Sequence, residues 1–248
     1  NNLPSWRLPE QHAISGFRSR ELTKEGGNSA AGRSNHLILD DTAEKIQAQL
    51  KSDHKSSSLN LGYIARIEDH AGRKDERGEG FELRTDAHGV IRAKEGLLIS
   101  TEARTHAAAH AKDLGETLLR LTQARERHES GFDAASQVKA QKGGDQDEVT
   151  RALKAQIDAI QGQSGGSAEE GQCPEVAGPH LVLSGPAGIQ TTTQGSTHIA
   201  SDAHTALTSG EHLSLSSGAS VLAVALQAIK LFAQQNGTAG NILIDAPA

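Results

Sequence analysis

Ser52, Asp53 and His54 follow one another and supply the three side-chain types of a hydrolytic triad. Such a triad needs nucleophile, base and orienting carboxylate to converge, whereas consecutive residues of a strand point alternately to opposite faces. No G-x-S-x-G elbow presents a serine, so no catalytic residue is expected. His106 and His110 have the i, i+4 spacing that lets two imidazoles share a zinc ion. The stretch "HAAAH" nevertheless lacks the glutamate that would do base chemistry, and a solvated face at the start of a helix is the expectation. His198, His204 and His212 would form an ion site only if threefold copies met on an axis, and the register described below turns them away from it. Cys173 is the single cysteine, which excludes an intramolecular disulfide framework and a zinc ribbon and fits synthesis in a reducing compartment. The glycine-rich pieces "GGNSAAG" and "GQSGGS" lack the Lys-Ser/Thr pair of a phosphate-cradling loop. The charged run "GRKDERGEG" (72–80) reads as a solvated loop. No metal and no cofactor are expected.

The composition points away from chemistry too. Aromatic residues make up 2% of the 248 positions, glycine contributes 26, and Leu, Ile, Val and Phe together only 50. A fifth of the chain is little apolar material for a monomeric core. The net charge of −6 is evenly spread, so no nucleic-acid partner is expected. No run approaches the length of a membrane helix. "NNLPSWRLPEQH" lacks the basic start and apolar stretch of a secretory leader, and with a first residue other than Met a fragment or processed chain with further parts on both sides is the expectation.

Residues 1 to about 100 read as turn-rich with short strands. "HLILDD" (36–41) is one, and Phe81, Leu83 and Thr85 alternate with charged neighbours in another. "DAHG" is a turn, followed by strand candidates "VIRA" and "LLIST", and "SRELTKEGGNSAAGRSN" (19–35) is a polar loop. From about 103 the period changes. Leu114, Leu118, Leu121, Arg125, His128, Phe132 and Ala135 make a helical stripe with two polar interruptions. After "KGGDQDE", with Asp145 or Asp147 as cap, Val149, Leu153, Ile157 and Ile160 mark a second, shorter helix.

Beyond residue 181 the chain repeats every eight residues. Leu181, Ile189, Thr197, Thr205, Leu213, Val221 and Ile229 form one column. Leu183, Thr191, Ile199, Leu207, Leu215, Ala223 and Leu231 form a second, and Ser201, Ser209, Ser217, Ala225 and Ala233 a third. Gly195, Asp202, Gly210 and Gly218 fall near the corners, and Gln190, His198, Ser214 and Lys230 face the other way. After 234 the register slips through "QNGTAG" and resumes at Ile242 and Ile244. Two apolar side chains per octad do not offset the entropy of ordering eight residues, and one strand with one corner is too short to coil back on itself. Three intertwined copies solve this, each giving one strand per layer to a shared narrow interior with no exposed edge. The fold class expected is mainly β: an intertwined trimeric β-helix or β-prism with an inserted α-helical pair. Its trimer core is assigned to Ile189, Ile199, Leu207, Leu213, Leu215, Val221, Ile229 and Leu231.

"SNHLILDDT" (34–42), "QLKSDHKSSSLNLGYI" (49–64), "RGEGFELRTDAHGVIRAKEGLLIST" (77–101) and "GPHLVLSGPAGIQTTTQGSTHI" (178–199) resemble the VgrG spike family of bacterial type VI secretion systems. The resemblance covers essentially the whole chain. It implies a non-enzymatic homotrimeric puncturing spike on a tube of Hcp hexamers, tipped at its C-terminal end by a PAAR-repeat protein and fired by sheath contraction. It also implies effector and adaptor proteins docked on the shaft, synthesis in the bacterial cytoplasm, and export without a signal peptide. The family's head and OB-fold portions would precede residue 1. The corresponding division is a first β-shaft segment (1–102), a helical insertion (103–165), a linker (166–178) and an octad-repeat extension (179–248). The helical pair reads as a buttress or as a docking collar. Two other readings are a phage or tailocin tail-spike needle and a polysaccharide-active enzyme on a β-helical scaffold; the scarcity of aromatic rings argues against the enzyme.

Overall fold

The computed structural model describes residues 5–29, 32–68, 71–103, 106, 111, 113–142, 144, 146–161, 178–235, 238–240 and 242–243. The chain divides into two units, Asn1–Ile91 and Arg92–Ala248. His110, Asp145, Cys173, Ile244 and nearly all of the linker lie outside the described residues.

The first unit is an antiparallel meander of five strands in chain order: β1 (Ile14–Arg18), β2 (Asn35–Asp40), β3 (Gln47–Ser52), β4 (Ser57–Glu68) and β5 (Gly72–Arg84). Its alternation is inverted. In β2, His36, Ile38 and Asp40 are buried while Leu37 and Leu39 are exposed. The register carries this across the sheet: Phe17, Leu37, Leu50, Leu59 and Leu83 stand opposite one another on all five strands. Leu39, Ala48, Leu61 and Phe81 make a second row on the same face.

The polar face is buried because the far half of the β4–β5 hairpin folds over it. Pairing slips between Ile64 and Ala65 and again before Ile67, and such bulges bend a strand. Gly62 precedes the bend at φ +93°, where a Cβ would stand 2.5 Å from the Ile46 carbonyl oxygen. Beyond it, Gln47 exchanges two hydrogen bonds with the Ala65 backbone (2.9 and 3.1 Å). Ile67 then meets Ile38 and Trp6, with Ile14 packed against them. Asp40, fully enclosed, accepts from Arg73 Nε at 3.0 Å and from the Thr42 amide and hydroxyl at 3.0 and 2.5 Å. The run 72–80 is therefore strand, not loop: β5 pairs along β4 because backbone partners outweigh the low strand propensity of its charges.

In the second unit β6 (Leu97–Ser100) pairs in parallel with β7 (Leu181–Ser184). The crossover between them carries α1 (Gly115–Gln137) and α2 (Asp147–Gln161). Leu114, Ile160, Val182 and Leu98 form the core beneath the helices, and Ile157 is also buried. Of the expected stripes, Leu114, Ala135, Ile157 and Ile160 are buried, Leu121 is exposed, and Thr117, outside the stripe, is buried as well. "VIRA" forms no strand and pairs with none of the described strands. His106 lies ahead of α1 at φ +58°; His110 is outside the described residues, so the face expected of the two is not among the described geometry.

After β7 the backbone bends at 186–187, 194–195, 202–203, 210–211, 218–219 and 226–227, one corner every eight residues. The segments between corners carry no ladder to any described part of the chain. A short hairpin, β8 (Gln234–Gln235) with β9 (Thr238–Ala239), ends the run.

Candidate functional site

The triad-like stretch is a corner. Ser52 ends β3, and His54 opens a single turn of 3-10 helix that runs to Ser56, with Lys55 and Ser56 at positive φ. Asp53 accepts hydrogen bonds from the Ser34 amide (2.9 Å) and hydroxyl (2.7 Å) and pairs with Lys51 at 3.3 Å. Partial burial works to raise its pKa, but the bonds from Ser34 and the Lys51 charge outweigh burial and hold it below the usual carboxylate value. His54 Nδ1 lies 2.7 Å from Arg33 Nη1, and Arg33 forks onto Glu21. The carboxylate thus ties two strands together and orients no base. Among the described residues no group of His, Cys, Asp and Glu could hold a metal ion, and no helix is long and apolar enough to cross a membrane.

The distinctive surface is the octad run. Its corners are built by hydroxyls at i accepting from the amide at i+2: Thr193 from Gly195, Ser201 from Ala203 and Ser217 from Ala219. Ser201 and Ser209 also donate to the carbonyls of His204 and His212. This is why the column is Ser or Thr from 193 to 217. Between corners each strand leaves its amides and carbonyls without ladder partners, an open template for other strands.

The two faces of the run differ. The helical pair sits against the even-numbered side: Leu121, Ala124, Arg125, Leu153, Gln156 and Ile157 line a cleft closed by Ala206 and Thr208, and the Arg127 guanidinium lies beside Gly210. The odd-numbered Ile189, Ile199, Leu207, Leu213, Leu215, Val221, Ile229 and Leu231 face away from it, 58–81% exposed. His198, His204 and His212 are even-numbered and exposed.

Residues 27–135 match the family model of the type VI secretion system Rhs element Vgr, and residues 168–242 match that of an uncharacterized protein conserved in bacteria (DUF2345). Over 244 residues, 94% of the chain, 35% are identical to the type VI secretion system spike proteins VgrG2a and VgrG2b of Pseudomonas aeruginosa. The structure of a VgrG spike from the type 6 secretion system superposes with a TM-score of 0.69 over 93% of this chain and 75% of that one, at 24% identity. By sequence and by fold the chain is VgrG-like.

A second solved spike, determined with the Tle1 effector bound, aligns with a TM-score of 0.67 over 93% of this chain and 61% of that one, again at 24% identity. The VgrG-like chain spans 26% and 22% of the lengths of VgrG2a and VgrG2b. The octad run lies in the match to the uncharacterized family, all but the last two residues of α1 in the match to the Vgr model, and α2 in neither. The VgrG-like fold is mostly strand with an inserted helical pair.

Proposed function

We propose that the chain is the shaft portion of a trimeric type VI secretion spike. Residues 186–233 of three copies close a β-prism around Ile189, Ile199, Leu207, Leu213, Leu215, Val221, Ile229 and Leu231. The observation that carries this reading is a chain bent every eight residues, with no strand ladder to other described residues between its corners, whose odd-numbered apolar side chains are on the side opposite the chain's own helices. A backbone donor or acceptor closed off from water without a partner is costly. Two further copies supply partners at every layer and remove the edges. The apolar face of the β1–β5 sheet supports the same reading, because two cross-strand rows of large apolar groups exceed what a monomer ordinarily leaves in water.

The function is mechanical. The shaft sits above an Hcp tube, carries a PAAR tip and effector or adaptor proteins, and leaves the cell through the type VI apparatus. It has no catalytic role, and the helical pair buttresses the octad run at Ala206–Gly210. The division into a first shaft segment (1–102), helical insertion (103–165), linker (166–178) and extension (179–248) follows this reading.

Light scattering on the purified protein tests the assembly. A mass three times that of the chain is expected, and Leu215→Asp is expected to abolish it by placing three carboxylates in one desolvated layer. A folded wild-type monomer would overturn the proposal.

A further inference from the structure

Arg127 of α1 is a cation whose partner its own helix does not supply. The positions three and four away, Gln123, Ala124, Ser130 and Gly131, carry no carboxylate. Glu129, two positions on, lies 3.6 Å from Arg125. The Arg127 guanidinium rests instead on a corner of the octad run, where a Cβ on Gly210 would stand 3.5 Å from its Cζ and Nη1. The column of that corner reads Gln194, Asp202, Gly210, Gly218 and Leu226, and Asp202 is its one charge. Neither Arg127 nor Asp202 has an ion pair among the described residues. One chain does not bring them together, since the stretch between the bends at 202–203 and 210–211 spans roughly 20 Å when extended.

In a prism of three chains every corner carries the strand on to the next face. The neighbour of a strand on any face is therefore a strand of another copy, one octad earlier or later. In-register strands lie about 4.8 Å apart, so Gly210 stands next to the partner subunit's Asp202 on one side. We propose that Arg127 of each copy pairs with the partner subunit's Asp202, which makes the helical pair a clasp between copies. This rests on the trimeric reading and goes beyond the buttress, whose contacts at Ala206–Gly210 stay within one chain. The pair also sets the register. Octads so alike resist a slip of one repeat only weakly, and a slip by one octad leaves Arg127 facing an uncharged position of the column.

The test uses the whole chain with Cys173 replaced by serine. Arg127→Cys and Asp202→Cys are combined and treated with a bismaleimide about as long as an Arg–Asp pair. A covalent trimer on a denaturing gel is expected from the double variant and from neither single one. A product of single-chain mass with an internal link would place the pair within one copy and overturn the clasp, as would no link at all. Charge variants test it without cysteines. Asp202→Lys is expected to lower the melting temperature of the trimer by about 2–4 °C at low salt, an effect that fades at high salt. Adding Arg127→Glu is expected to recover most of that loss. Equal melting of wild type and Asp202→Lys, or no recovery in the exchanged pair, would overturn the clasp. A monomeric wild-type mass in light scattering would instead overturn the assembly on which it rests.

Discussion

Asp40 shows how much one residue holds in the first unit. Its carboxylate is closed off from solvent and held by Arg73 from the folded-over hairpin. Removing one partner of a buried pair leaves an uncompensated charge, so Arg73→Ala should cost about 3–5 kcal/mol. Denaturant unfolding measures it, and a loss under about 1 kcal/mol would mean that Thr42 alone suffices for Asp40. Glu21 is a contrasting, partly exposed case. The side-chain bonds from Arg33 lower its pKa from 4.5 to about 2. Because the folded value is depressed, whatever this pair contributes is present above pH 4.5 and disappears as pH falls through about 2. A carboxyl NMR titration should place the midpoint near 2 and return it towards 4.5 in Arg33→Gln; an unshifted wild-type midpoint would contradict the fork. Neither partnership was legible in the sequence. Arg33 lies twelve positions from Glu21, and Arg73 thirty-three from Asp40.

At the scale of elements the helical pair can be tested without touching the octads. Ile160 packs with Leu114, Leu98 and Val182 where α2 meets both parallel strands. Ile160→Ala should cost about 2–5 kcal/mol and melt the helical signal at a lower temperature. Unchanged melting would mean that the helices do not share a core with β6 and β7. Both helices were legible from their stripes; the stripe marked the buried Ile157 and Ile160 of α2, but in α1 it missed the buried Thr117 and included the exposed Leu121. The strand at 72–80 was not, because its residues are polar on both faces and only pairing with β4 holds them extended.

For the whole molecule the proposed trimer makes a claim about the sheet that is separate from the octads. With Cys173 replaced by serine, Leu50→Cys in the centre of the apolar face should give interchain adducts with a short thiol crosslinker. Gln49→Cys on the buried polar face should not. Position 50 reacting as a free surface thiol, without interchain product, would remove the sheet from the assembly and leave Leu215→Asp as the test of the prism.

By itself the sequence determined the octad. A repeat of eight places one bend per copy, and at three of the corners (after Thr193, Ser201 and Ser217) a local hydroxyl-to-amide bond holds it, chemistry that needs no distant partner. Only the tertiary structure shows which side of that strand the helices cover, because the residues closing on Ala206 and Thr208 are contributed from more than forty positions away. The same holds for the sheet. Alternation announced two faces in β2, but the burial of the face carrying His36 and Asp40, and the exposure of the leucines, followed from a bulge in β4 that folds a hairpin over the polar side.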